Sequence, residues 1–223
     1  MIITCLKMKL IALNLLTLIL KYAGGGGLAS QFFEFNGEGQ DTARKQSSHS
    51  SEYDVIEWKE FKLGDLFNKI VQGRRLKKDD QMTGNIPFVM AGVTNSGVVN
   101  FISNPVASFP KNSITADIFG NVFYRNYNFG AGDDTGVYWS DKNHYSKEIM
   151  LFFATSMACS LKGKYDFGKK LRSSQSKNIR VNVIVKNNDL NYYYMNTLVS
   201  AIQKLVIKDV VKWTDKKLLQ QKK

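Results

Sequence analysis

Cysteine and histidine are scarce in this chain. There are two cysteines, Cys5 and Cys159, and two histidines, His49 and His144. The cysteines are far apart and have no neighbours at metal-ligand spacing. A disulfide framework and a zinc site are therefore both excluded, and a reducing cytoplasm suits such a chain. Two histidines are too few for a histidine-rich metal site, and no Ser/His/Asp or Cys/His set can be assembled around them. A phosphate loop ending in Gly-Lys-Ser/Thr is also missing. Acidic residues are in short supply too, with 19 Asp and Glu against 31 Lys and Arg.

The basic excess, +12 overall, is uneven. Residues 1–57 hold 5 basic and 6 acidic side chains, whereas residues 58–223 hold 26 and 13. The surplus thus belongs to the part that reads as folded, and it points to a polyanion such as nucleic acid or an anionic membrane surface. The bland alternative is surface charge that serves solubility. At 43% hydrophobic content, 223 residues suffice for one domain with its own core and appendages.

Residues 1–35 open with Lys7 and Lys9, an apolar run Leu10–Leu20, and Gly24–Gly27. That outline fits a signal peptide and equally a buried helix ended by glycine, which is the reading preferred here. Gly24-x-Gly26-x-x-Ala29 meets a loose dinucleotide fingerprint, but no acidic residue closes a βαβ unit after it, and it reads as a hinge. Residues 36–55 are almost wholly polar and read as a flexible linker. A domain over 56–187 and a terminal helix over 188–223 follow.

Within the domain, Trp58–Lys62 predicts a strand. Leu63, Leu66, Phe67 and Ile70 predict a helix within Glu60–Lys69, ended before Gly73. Ile86–Met90 and the run VVNFI after Gly97 read as strands, and Ser113–Phe119 with Asn121–Tyr124 as a hairpin turning at Gly120. Asp133 and Asp134 read as turn residues. Val137–Trp139 and Val181–Val185 read as strands, and Lys147–Met157 as a helix with Ile149, Phe152, Phe153 and Met157 inward. The class is mixed α+β, with short twisted strands and a few helices.

Two stretches carry the chemistry. Arg74, Arg75, Lys77 and Lys78 follow Gly73 with no acid among them, so they repel one another unless an anion is present. Arg offers phosphate or guanine a planar two-pronged contact, and Lys a point charge. Lys162, Lys164, Lys169, Lys170 and Arg172 surround Tyr165 and Phe167 on a segment broken by Gly163 and Gly168, with Asp166 as its one acid. Basic groups interleaved with aromatics suit phosphate gripping and groove insertion. Arg125, set among Phe119, Phe123, Tyr124, Tyr127 and Phe129, completes the candidate set of Arg74, Arg75, Lys77, Lys78, Arg125, Lys162, Lys164, Tyr165, Lys169, Lys170 and Arg172. A solvated loop is the competing reading of each.

Asp189–Lys217 predicts a long helix capped by Asp189. Met195, Leu198, Ile202 and Leu205 form a short heptad seam, and the apolar line then moves to Val206, Val210 and Trp213. At 1.5 Å per residue such a helix spans ~40 Å, so part of it should meet another helix.

The order WKEFKLGDLF, Gly73, GNIPFV, GNVFY, YDFGKKLRSS and a terminal helix, over about residues 56–217, resembles the target-recognition domain of restriction-modification specificity subunits of type I and related type II systems. The resemblance implies a globular α/β unit that reads half of a split target in the DNA major groove. A spacer helix would follow and pair with a second one. Double-stranded DNA, a modification methyltransferase and restriction subunits would be the partners, with S-adenosylmethionine on the methyltransferase and no cofactor on this chain. The Gly73–Lys78 loop and the Lys162–Arg172 segment would lie on or near the DNA. Two departures stand out. One recognition domain and one spacer are present where two of each are usual, which implies dimerisation, a half-subunit or a fragment of a fused enzyme. Val181-Asn182-Val183 replaces the usual Leu-Pro after the basic loop.

Catalysis has little support. An amino-methyltransferase needs an Asn-Pro-Pro-aromatic motif, and Asn104-Pro105-Val106-Ala107 fails it. Asp54, Glu57 and Lys59 imitate a nuclease cluster at too short a spacing. The reading is a non-catalytic, cytoplasmic DNA-recognition subunit. The alternative is a membrane-associated or exported basic protein, motivated by residues 1–27.

Overall fold

Alternation and burial explain the central strands. Val181, Val183, Ile184 and Val185 are at most 2% exposed, and their strand accepts a neighbour on each edge. The computed structural model describes residues 56–104 and 108–221. The proposed N-terminal helix, hinge and linker lie outside the described residues. Glu57–Val199 make one compact unit, and Ser200–Lys223 belong to a second.

The compact unit holds three sheets. In the first, β1 (Glu57–Lys62), β10 (Arg180–Lys186) and β11 (Asp189–Leu190) run in that order, with both pairings antiparallel. The second, all antiparallel, has the order β2 (Lys69–Gln72), β9 (Thr135–Trp139), β6 (Ser113–Asp117), β7 (Val122–Arg125). The third has the order β4 (Val98–Ile102), β3 (Thr83–Val89), β8 (Phe129–Ala131), β5 (Ser108–Phe109), in which β3 and β8 are parallel. The single-turn helix α1 (Leu63–Leu66) follows β1, and α2 (Lys147–Leu161) packs on β10 and β7. The short helix α3 (Ser173–Ser176) lies against β2, and α4 runs Tyr192–Gln221.

Two apolar clusters hold these layers. Val89, Phe109, Phe129, Ala131 and Val137 pack together, flanked by Val98, Tyr127 and Trp139. Elsewhere Phe67 meets Tyr138, Tyr145 and Phe153 edge-on at centroid distances of 5.7–6.4 Å. Fully burying side chains of this size contributes roughly 1.5–3 kcal/mol each. Helix α2 begins at Ser146, whose hydroxyl accepts from the Ile149 N–H at 3.2 Å, and Glu148 complements the dipole in its first turn. Its Phe152 stacks on Trp58 at 6.1 Å, and its Ser156 hydroxyl donates to the Asn182 carbonyl.

Two expectations are corrected. The Glu60–Lys69 helix is one turn long, because Lys69–Gln72 pairs with Trp139–Gly136 of β9 and this pairing overrides the local 3-4 spacing. The predicted cap Asp189 lies in β11, and α4 is capped instead by Asn191, whose side-chain oxygen accepts from the Tyr194 N–H at 3.0 Å. The heptad seam of α4 is divided: Met195 and Leu198 are buried in the domain's own core. From Ser200 onward, within the second unit, Val206, Ile207, Val211 and Trp213 are 52–62% exposed. Among the described residues no helix is long and apolar enough to cross a membrane.

Burial pushes the hydroxyls of Tyr138, Tyr145 and Tyr194 up to about 12, from an ordinary value of 10.0. The Tyr138 hydroxyl lacks a hydrogen bond of normal geometry, so burial alone dominates there. The folded state favours the protonated form, so this contribution to stability is complete below pH 10 and is lost as pH rises from 10 to 12. Alkaline titration followed by tyrosinate absorbance and circular dichroism should show these three ionising late, together with unfolding. Titration of every tyrosine near pH 10 in an intact fold would contradict it.

Candidate nucleic-acid interface

Strand register brings five loops to one end of the domain. Gln72, the last residue of β2, pairs with Gly136, and Asp117, the last of β6, pairs with Thr135. The exits of β2 and β6 therefore meet the start of β9. β3 and β8 are parallel and end side by side, with Val89 opposite Ala131. The loops after β2, β3, β6 and β8 thus share this end. The segment after α2 joins them, because the Leu171 N–H donates to the Ile118 carbonyl at 2.9 Å.

Two carboxylates fasten the loops. Asp117 is 3% exposed. Its Oδ1 accepts from the N–H groups of Phe119 and Asn121, both at 2.9 Å. Its Oδ2 accepts from the Gly92 N–H at 3.0 Å and from the Asn121 amide at 2.8 Å. Asp134 Oδ2 accepts from the Ala91 N–H at 2.9 Å, and the Asp134 carbonyl accepts from the Ile118 N–H at 2.9 Å. The turn reading of Asp133 and Asp134 holds in this form.

The first cationic loop is fixed at its root. The N–H groups of Gly73 and Arg74 donate to the carbonyls of Thr135 and Ala131, each at 2.9 Å. A Cβ on Gly73 would stand 2.2 Å from the Gly132 carbonyl oxygen, so only glycine fits this close approach. Beyond it Arg74, Arg75, Lys77 and Lys78 are all exposed. Gln72 ties this root to the second cationic segment: its amide donates to the Asp133 carbonyl and its oxygen accepts from the Ser173 N–H, both at 3.0 Å.

That second segment has a built turn. Asp166 Oδ1 accepts from the N–H groups of Gly168 and Lys169 at 2.8 and 2.9 Å. Lys162, Lys164, Lys169 and Lys170 are exposed and Leu171 is buried. Lys169 stands 6.0 Å from the centroid of the half-buried Tyr165 ring, and Arg172 donates to the Asp133 carbonyl at 3.2 Å. Phe167 is 84% exposed, supported from behind by Phe119 at 5.0 Å between centroids. Among the described residues none of these cations is in an ion pair, unlike Lys69 with Asp141 and Arg180 with Glu60. Two cavities, of about 450 and 380 Å³, lie at the other end, around Asn143–Tyr145. Among the described residues no group of acids, histidines and cysteines has metal-site geometry.

Residues 56–183 match the family model of the type I restriction modification DNA specificity domain. The chain belongs to this family. It is 33% identical over 125 residues to the type II restriction enzyme specificity subunit S.BcgI of Heyndrickxia coagulans, a match over 55% of this chain and 36% of that one. It is similar to the type I restriction-modification S subunit from M. genitalium (TM-score 0.51, 18% identity), which covers 71% of this chain and 41% of that one. A second similar structure, from work on assembly and conformational transition of a type I system, gives 0.52 and 12%, over 98% and 52%. The chain therefore spans about a third of the curated relative and about half or less of the solved chains.

In this specificity domain Arg74 and Arg172 bond directly to the shared loop end. Lys162, Lys164, Tyr165, Lys169 and Lys170 lie on the second segment rooted there. Lys77 and Lys78 lead away from it towards the start of β3, and Arg125 is not on the surface. Arg125 is corrected: it is 2% exposed and faces inward. Its Nε donates to the Thr115 hydroxyl and its Nη1 to the Tyr127 hydroxyl, both at 3.1 Å, and its Nη2 to the Ser96 carbonyl at 2.6 Å. The Phe123 ring lies 5.1 Å from the guanidinium. Burial lowers its pKa, which hydrogen bonding to Tyr127 partly offsets. Asp117, Asp134 and Gln72 were not among the candidates. Asp117 followed by Gly120-Asn121 is a local turn signal, but its reach to Gly92 is not visible in one sequence.

Replacing Asp117 by Ala removes acceptors from three backbone N–H groups in two loops. We expect a loss of about 3 kcal/mol, since buried unsatisfied donors cost ~1–3 kcal/mol each and are not additive. Urea unfolding should measure it, and amide exchange should quicken at Gly92, Phe119 and Asn121. Unchanged exchange at Gly92 would show that the two loops are not joined there.

Proposed function

We propose that this chain is a sequence-specific, non-catalytic DNA-recognition subunit, or half-subunit, of a restriction-modification system. It places a modification methyltransferase and restriction subunits at a target sequence in double-stranded DNA. S-adenosylmethionine and the chemistry belong to those partners, and the chain acts where cellular DNA lies, in the cytoplasm. The observation that carries this reading is that two segments of exposed Arg and Lys, outside any ion pair among the described residues, are rooted at one loop end of a specificity-family domain. Exposed cations without acidic partners release counterions from phosphate on binding, which gives affinity and a steep salt dependence. Backbone hydrogen bonds at Gly73, Arg74 and Leu171, and the Gln72 side chain, fix the roots of both cationic segments, which lowers the entropic cost of binding.

The spacer completes the reading. The exposed Val206, Ile207 and Val211 follow Met195 and Leu198 along α4 and suit a second helix of the same kind, from another copy or another specificity domain. The apolar faces of long helices seldom remain in water.

The test is DNA binding by the full-length chain as a function of salt, with the partner methyltransferase present. The double variant Lys169→Ala, Lys170→Ala should weaken binding to all duplexes alike. It should also reduce the slope of log K against log salt by about 2, near 0.9 for each phosphate that is no longer neutralised. An unchanged slope would remove these two residues from the interface.

A further inference from the structure

A loop without charge is tied to the same β8–β9 turn as the two cationic segments. Residues 91–97, Ala-Gly-Val-Thr-Asn-Ser-Gly, leave β3 at the shared loop end. Thr94, Asn95 and Ser96 are exposed, and among the described residues their side chains make no hydrogen bond. Three consecutive polar side chains without partners are idle in the isolated domain.

The backbone beneath them is held in an unusual shape. Asn95 and Ser96 are left-handed, with φ of 48° and 54°, a conformation that non-glycine residues adopt at a cost. Such strain persists where the surroundings over-determine it, and it gathers at working sites. Here the surroundings do so at five points. Asp134 holds Ala91 and Asp117 holds Gly92. Met90 donates to the Gly97 carbonyl at 2.9 Å, and Ser96 to that of Val93 at 3.2 Å. Arg125 holds the Ser96 carbonyl from below at 2.6 Å. None of Arg125's hydrogen-bond partners is a carboxylate, so its charge is not neutralised under the loop. A buried guanidinium is an expensive means of fixing one carbonyl, unless the position of that loop and the positive field behind it are themselves useful.

Resting on the proposed DNA reading, we propose that Thr94-Asn95-Ser96 reads base edges, with Asn95 as the specificity-determining residue and adenine as its base. Phosphate contacts position a protein, and uncharged side chains on a fixed backbone discriminate bases. An Asn amide presents a donor and an acceptor that match N7 and the N6 amino group of adenine in the major groove. The cations of the two segments grip the backbone, and this loop supplies the selectivity.

The test selects bound duplexes from a randomised library with the full-length chain, wild type and variant, and separately measures affinity for an unrelated duplex. Asn95→Gly keeps the left-handed backbone and removes the amide. Asn95→Asp also tolerates that backbone, and its carboxylate accepts from the N4 amino group of cytosine. We expect Asn95→Gly to lose ~10- to 100-fold of the preference for adenine at one position, with affinity for the unrelated duplex unchanged. We expect Asn95→Asp to move that preference towards cytosine, which a merely structural role would not do. If both variants enrich the wild-type motif with the same preference, the inference is overturned while the DNA reading stands. If the wild-type chain enriches no motif and Lys169→Ala, Lys170→Ala leaves affinity unchanged, the DNA reading fails as well.

Discussion

The Asp117 carboxylate is the constraint on which the loop end depends. It lies at the last position of a strand in which all five residues are buried, and both of its oxygens are used on backbone or amide N–H groups. A buried carboxylate is stable only when its lone pairs are satisfied. Those donors come from the loop after β3 and from the turn after β6, so satisfying one charge fixes two segments distant in sequence. Asp134 repeats the device one strand away, joining Ala91 to the start of β9. Loops tied in this way can carry exposed side chains without the entropy loss that floppy loops suffer on binding.

The same arrangement sorts charge by partner. Three acids at this end are engaged by backbone N–H groups: the buried Asp117 and the half-buried Asp134 hold loops, and the exposed Asp166 forms its own turn. The Lys and Arg side chains of the two segments are exposed, and among the described residues none of them is in an ion pair. Composition gives only a surplus of positive charge. The fold roots two of the cationic segments at one loop end and occupies Asp117, Asp134 and Asp166 with backbone N–H groups. Where pairs do survive, Lys69 with Asp141 at the opposite end of β2 and Arg180 with Glu60 on the first sheet, the cations are not part of the loop cluster.

Much of the scaffold was legible in the sequence because its signals are local. Apolar runs bounded by glycine gave β3 and β4, Gly120 gave the hairpin, and the 149, 152, 153, 157 spacing gave α2. The readings that failed are those in which a distant strand decides. Leu63 and Leu66 do form a helical turn, closed by the Phe67 N–H on the Leu63 carbonyl, but Ile70 and Val71 are claimed by β9, far along the chain and in a register no local pattern encodes. Asp189 and Asn191 are equally good caps by residue type, and the pairing of Asp189 with Lys186 leaves the role to Asn191. Arg125 misled for a similar reason. A cation among aromatics looks the same in sequence whether the rings line a groove or enclose the cation.

Burial of Arg125 also changes what counts as a recognition residue. Within the candidate set it was grouped with the exposed cations, yet its three hydrogen bonds all go to neutral acceptors, so the fold bears its desolvation without a compensating acid. A neutral residue at 125 would save that cost but release the Ser96 carbonyl, and with it the strained pair above. The exposed Arg and Lys residues need only be present and near phosphate, since a point charge tolerates small displacements. Hydrogen bonding to a base edge does not, because its geometry is narrow. It follows that the strictest structural support at this end should lie beneath uncharged side chains rather than beneath the cations, and that is where the fold has placed two carboxylates and a buried guanidinium.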